Sequence, residues 1–179
     1  TIVANLTQTS GVSASKSIQT TTQNLTSAAT ILLNQADIFD IVSITDANGT
    51  YVKARFSLDN GQRETFYDFG SLRLIPGQQL PSGTLAIQYR YFVHGTGDFF
   101  SANSYAGTSY DLIPKFTNSK GQSIFLASAI DFRQKVSGTG VIAQGTSARI
   151  FEANQAIDSD FEYYLGRIDK IIATKDGKI

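Results

Sequence analysis

His94 is the only histidine of the chain, and it stands in the cluster His94-Gly95-Thr96-Gly97-Asp98-Phe99-Phe100, with Ser101 and Ser104 close behind. Histidine, carboxylate and serine together are the raw material of acyl transfer: the imidazole takes the hydroxyl proton and the carboxylate orients the ring. That chemistry also needs a nucleophile elbow or an oxyanion loop, and neither surrounds these residues. A turn accounts for them better. Gly95 and Gly97 let the chain reverse, Asp98 caps the local backbone, Phe99 and Phe100 anchor the turn, and the His94 ring packs on aromatics while bonding backbone. Asp46 and Asn48 before Gly49 are spaced like the start of a calcium loop, but the later ligands, including the terminal Glu, are missing. Asp158, Asp160 and Glu162 could hold a cation or act as acid and base in glycoside cleavage. A solvated strand entrance explains them more simply. Residues 137–145 are Gly-rich like a phosphate loop, yet they lack the Gly-Lys-Ser/Thr ending and the dinucleotide spacing, and read as a flexible or edge loop. No catalytic residue, cofactor or metal ligand is therefore assigned.

The whole chain bounds the function in the same direction. Its 179 residues suffice for one ordinary domain or two small ones, burying about 70% of the surface the unfolded chain exposes. Fifteen basic residues balance fifteen acidic ones, so no net field favours nucleic acid or an anionic membrane, and neither is expected as a partner. The absence of cysteine removes disulfides, thiolate metal sites and cysteine nucleophiles. No stretch approaches the ~18 apolar residues of a membrane span. No basic segment leads into an apolar one at the start, so no signal peptide is expected. The sequence starts at Thr1 and stops just after the turn pair Asp176-Gly177, which reads as a piece of a longer polypeptide. Twelve Phe and eight Tyr, with no Met or Trp, favour strands.

These residues must be positioned by turns and strands. Residues 1–37 are Ser/Thr-rich and read as an extended arm or linker, with a weak alternation over residues 12–17 that could add a strand to this sheet or another. Leu25, Ala28, Ala29, Leu32, Leu33 and Ala36 fall three and four apart, which predicts a short helix against the β-branched Thr30 and Ile31. Asp46-Ala47-Asn48-Gly49 predicts a hairpin between residues 38–44 and 51–56, and Asp59-Asn60-Gly61 a second turn into strands over 63–67 and 71–74. Prolines and glycines punctuate residues 76–83 as a loop. Residues 85–92 form the clearest strand, with Leu85, Ile87, Tyr89 and Tyr91 on one face. Asn118-Ser119-Lys120-Gly121-Gln122 is another turn, and Pro114 holds Ile113 extended. Residues 158–173 pass from acidic to aromatic to alternating, which fits a terminal hairpin. The expected fold is mainly β, an antiparallel sandwich or open barrel over residues 38–179 with at most short helices.

Several segments in order resemble a family of structural proteins of tailed, especially contractile-tailed, bacteriophages. They are Phe56-Ser57-Leu58-Asp59-Asn60-Gly61-Gln62-Arg63-Glu64 with Phe66-Tyr67-Asp68, then Tyr91 to Phe100 with Ser104-Tyr105. Tyr110-Asp111-Leu112-Ile113-Pro114, Ala129-Ile130-Asp131-Phe132-Arg133 and Glu162-Tyr163-Tyr164-Leu165-Gly166-Arg167-Ile168-Asp169-Lys170 follow, with Lys175-Asp176-Gly177 behind them. The chain departs from the family at Gln134 and Gly166, where proline is usual. The resemblance implies a non-enzymatic module of the tail, baseplate wedge or fibre attachment, located in the virion and assembled in the host cytoplasm as a homo- or hetero-oligomer with other tail or baseplate proteins. It carries over no catalytic residue. A receptor- or carbohydrate-binding module of a tail fibre, with Tyr and Phe stacking on sugars and Asp98 or Asn103 reading hydroxyls, is the alternative. A glycan-cleaving enzyme using Asp98, Asp158 or Asp160 has the least behind it.

Overall fold

The computed structural model describes residues 11–136. In chain order the strands are β1 (Lys16–Thr26), β2 (Thr30–Ala36), β3 (Ile38–Thr45), β4 (Phe56–Asp59) and β5 (Phe66–Tyr67). They continue with β6 (Phe69–Leu74), β7 (Thr84–His94), β8 (Lys115–Thr117), β9 (Ser123–Phe125) and β10 (Gln134–Lys135). Helical structure among the described residues is limited to single 3₁₀ turns. The mainly β, antiparallel expectation holds.

β7 is the centre of the first sheet, ordered β1-β7-β3, with β1 antiparallel along its whole length from Lys16 opposite His94 to Thr26 opposite Thr84. The second sheet is ordered β2-β6-β4 and is also antiparallel. Period-2 alternation puts Leu85, Ile87 and Tyr89 of β7 wholly inside, where they meet Ile38, Ile41 and Ile44 of β3 and, from the facing sheet, Ile31, Leu33, Phe56 and Leu72. Each such side chain contributes about 1.5–3 kcal/mol by leaving water. One flank of the sandwich is stitched by Tyr89, whose hydroxyl lies 2.6 Å from Gln23 Oε1 on β1 and 2.9 Å from Asn34 Oδ1 on β2.

β2 and β3 are consecutive yet belong to different sheets, so the chain must cross between Ala36 and Ile38. Asp37 makes that corner with φ of 54°, the one non-glycine positive φ among the described residues. Aspartate tolerates this left-handed geometry better than most residues. Beyond β7 the chain folds back over the outer face of the first sheet. Tyr105, Ile113, Phe116 and Leu126 cover Phe92, with Ile18 and Phe39 beside it, and Phe92 meets Phe39 and Tyr105 edge-on at 5.4 and 5.2 Å.

Three expectations are corrected. The arm over residues 1–37 is, from Lys16 onward, two full strands, because threonines suit a pleated edge strand and β7 supplies the hydrogen bonds. The boundary expected at residue 37 is thus a corner inside the sandwich. The helix expected over residues 25–36 is β2: Ile31 and Leu33 are buried while Leu32 is exposed, a two-residue period that β-branched Thr30 and Ile31 favour. The Asp46–Gly49 turn forms, with Asp46 Oδ1 accepting from the Asn48 and Thr50 amides. Its hairpin stops after the single bridge from Thr45 to Tyr51, and the chain crosses to the other sheet as β4. The terminal hairpin, the Gly-rich 137–145 loop and the carboxylates Asp158, Asp160 and Glu162 lie outside the described residues.

Candidate functional site

The cluster after β7 does its work on backbone. The Gly95 amide donates to Ser15 O at 2.7 Å, Ala14 N to Phe99 O at 2.7 Å and Asp98 N to Val12 O at 2.7 Å. Asp98 Oδ2 accepts from the Val12 amide at 2.8 Å, so its cap lies far away in sequence rather than locally. A Cβ on Gly97 would stand 2.5 Å from Ala14 N; only glycine lets the two segments come this close. The cluster is a clasp that holds residues 12–15 at the mouth of β1.

That clasp closes over a buried polar network. Lys16, first residue of β1, and His94, last of β7, are register partners, and both reach Asp37 Oδ2 at the corner, Lys16 Nζ at 2.7 Å and His94 Nε2 at 2.8 Å. Gln62 Nε2 donates to Asp37 Oδ1 at 3.4 Å. Lys16 Nζ also donates to the Tyr67 hydroxyl at 2.8 Å, and that hydroxyl donates to Asp131 Oδ2. Arg133 forks onto Asp131, Nε to Oδ1 at 2.9 Å and Nη2 to Oδ2 at 2.8 Å, and its Nη2 reaches Tyr67 at 3.0 Å. The side chains of Lys16 and Asp37 are 0% and 1% exposed. Aromatic faces wall the lysine, with Nζ 4.1 Å from the Tyr67 ring centroid, 4.5 Å from Phe100 and 5.2 Å from Tyr105.

Burial pushes the Asp37 carboxyl up, but Lys16 and His94 outweigh it and hold the group below the usual carboxylate range. Burial drives Lys16 below its ordinary value, with Asp37 pulling against it, and drives His94 down as well, so its ring is neutral and its Nε2–H donates. Asp131 is raised by burial and lowered more by the Arg133 fork, for a net fall. Burial and the neighbouring carboxylates raise Tyr67, which keeps its proton.

His94 therefore packs on aromatics as expected, at 5.0 Å from Tyr67 and 4.7 Å from Phe100, but it bonds a carboxylate that the sequence reading did not consider. The Ser-His-Asp grouping is not assembled: Ser104 Oγ accepts from the Ser101 amide at 2.9 Å and lies 3.3 Å from Ser13 Oγ. Sequence reasoning missed Lys16, Asp37, Tyr67, Asp131 and Arg133 as one group because four separate segments bring them together. The one signal was within the Asp131-Phe132-Arg133 motif itself. Among the described residues no three His, Cys, Asp or Glu side chains gather as a metal site.

The molecule has a second feature, on its surface. An open groove of about 570 Å³ separates β4 from β8. All of residues 57–59 and all of 115–117 line it. A strand shows alternate residues when it presents a face and consecutive ones when it presents an edge, so the lining places both strand edges on the groove. Each is the last strand of its sheet among the described residues. Phe39 and Phe116 add apolar surface, and Arg63, Arg73 and Lys115 set three cations against the carboxylate of Asp59.

Comparison of the chain with protein-family models, with curated proteins and with solved structures finds no match.

Proposed function

We propose that this chain is a non-enzymatic structural module of a bacteriophage tail or baseplate, joined to neighbouring subunits through the groove between β4 and β8. The observation that carries the reading is the pair of open strand edges facing one another across it. Unpaired edges are templates for a further strand, and proteins that keep them exposed use them to bind extended segments of a partner. Main-chain bonds supply affinity there, and the side chains around the groove choose the occupant.

The occupant is an extended segment of a neighbouring virion subunit that carries carboxylates. Arg63 is already held by Asp59, at 2.9 and 3.1 Å. Arg73, whose side chain is 65% exposed and only 3.5 Å from Asp59, and Lys115, over the Phe125 ring at 4.4 Å, keep charge to offer. The motif order of the sequence supports the choice of particle, and the inward use of His94, Asp37 and Asp131 supports a structural role. The alternative sugar-reading role for Asp98 loses support, since that carboxylate is spent on the Val12 amide.

The test is the composition of purified particles carrying either the native chain or the double variant Arg73→Glu, Lys115→Glu. The native chain is expected in particles. The variant, with an unchanged melting temperature because both residues lie outside the buried network, is expected to be depleted at least tenfold. A native chain found only in the soluble host fraction overturns the virion reading, and equal incorporation of the variant overturns the groove.

A further inference from the structure

The Lys16–Asp37 contact has the ingredients of a reaction as well as of an ion pair. We propose that Lys16 Nζ and Asp37 Cγ join in an intramolecular isopeptide bond, formed by the folded chain itself with loss of one water molecule. This goes beyond the assembly reading and does not depend on it.

An amine and a carboxyl group do not condense in water at neutral pH, because both are ionised and hydrated. Here both are taken out of water. Burial drives Lys16 toward the neutral, nucleophilic amine. Asp37 stays a carboxylate beside Lys16 and His94 and becomes the electrophilic acid only when the lysine hands it a proton across their contact. Tyr67, Phe100 and Tyr105 around Nζ exclude the water that would reverse the step. The 2.7 Å contact of Nζ with Oδ2, an oxygen bonded to Cγ, fixes the amine beside the carbon it would attack; well-oriented pairs of this kind reach effective concentrations on the order of 10⁵–10⁸ M.

The surrounding groups fit the proton traffic. One proton passes from Nζ to Oδ2, turning the ion pair into amine and acid. The amine lone pair then forms the N–C bond at Cγ, and the negative charge develops on Oδ1, where Gln62 Nε2 stands at 3.4 Å. A second amine proton leaves through the Tyr67 hydroxyl to Asp131, the hydrogen-bonded relay already in place. As the Cγ–Oδ2 bond breaks, that proton comes back from Asp131 through Tyr67 to the nitrogen and crosses the 2.7 Å contact to Oδ2, which departs as water and leaves one hydrogen on the amide nitrogen. His94, at 2.8 Å from Oδ2, orients the carboxyl group throughout. Reactants and products balance without oxidant, metal or co-substrate. The product ties the first residue of β1 to the corner between β2 and β3, adding a covalent cross-link where the backbone passes from one sheet to the other.

The test is mass spectrometry of the denatured full chain, followed by peptide mapping. The expected result is an intact mass lower by one water than the sequence requires, with a branched peptide joining Lys16 to Asp37. Mapping is essential because cyclisation at Asp176-Gly177 would also remove one water. The native chain needs no variant for this reading, so a misfolded mutant cannot obscure it. Tyr67→Phe interrupts the relay and is expected to slow bond formation at least tenfold, seen as a mixture of the two masses that shifts with time. A native chain of full mass, or a water loss that maps anywhere other than Lys16–Asp37, overturns the proposal and leaves the contact an ordinary buried ion pair.

Discussion

Arg133 shows how much a single side chain holds in this fold. It neutralises Asp131, supports the Tyr67 hydroxyl and donates to Arg63 O at 2.9 Å, and replacing it leaves a buried carboxylate without its cation. Arg133→Met is expected to lower stability by about 3–5 kcal/mol, read from the urea midpoint. His94 carries a separate pH signature. Its folded value is depressed, so its contribution is fully present above the ordinary histidine value of about 6.5 and is lost as pH falls through the folded value. Asp131, also depressed, adds stability present above the ordinary carboxylate range and lost in stronger acid. Both make the fold acid-sensitive. The melting temperature is expected to fall between pH 7 and pH 5, and His94→Gln to flatten that part of the profile; a native profile flat over this window would contradict the burial of a neutral ring. Apart from the adjacent Asp131 and Arg133, none of these partners was legible in the sequence. His94 was singled out beside Asp98 and the serines because they are neighbours along the chain, whereas its true partner sits at a sheet-switching corner that no local pattern marks.

Strands that alternate cleanly were readable, and strands that borrow their stability were not. β7 is evident from Leu85, Ile87 and Tyr89 because one face enters the core. β1 alternates in burial, with residues 16 and 18 and then 21, 23 and 25 turned inward, but most of those positions are lysine, threonine or glutamine rather than apolar, so the pattern is hidden in the sequence and pairing with β7 carries much of the strand. Turns were the most legible features, since their chemistry is local. Gly61 is the strongest case, with φ of 83° and the position of a Cβ only 2.1 Å from Asp68 O. Gly61→Ala therefore meets backbone as well as an unfavourable conformation, and is expected to lose more than the ~1–3 kcal/mol that strain alone costs. Gly49 has a similar φ of 78° with nothing near its missing Cβ, so Gly49→Ala is expected to cost only about 1–2 kcal/mol. Equal losses for the two in urea denaturation would show that the close approach at Gly61 does not matter.

For the molecule as a whole, the features form one scheme: a two-sheet sandwich locked at its corner by a sealed ionic network, and an open pair of strand edges on its flank. Under the proposed assembly role, the lock would resist separation of the sheets while the edges would take up a strand of a neighbour. Aromatic-rich composition pointed to the β-rich fold, but the groove was invisible in sequence because β4 and β8 are brought together only by the fold-back of residues after β7. The most direct test is cryo-electron microscopy of intact particles. The account predicts this sandwich in the tail or baseplate, with an extended segment of a neighbouring subunit lying between residues 57–59 and 115–117. Particles without this chain, or with the chain present and that groove facing empty solvent, would contradict it.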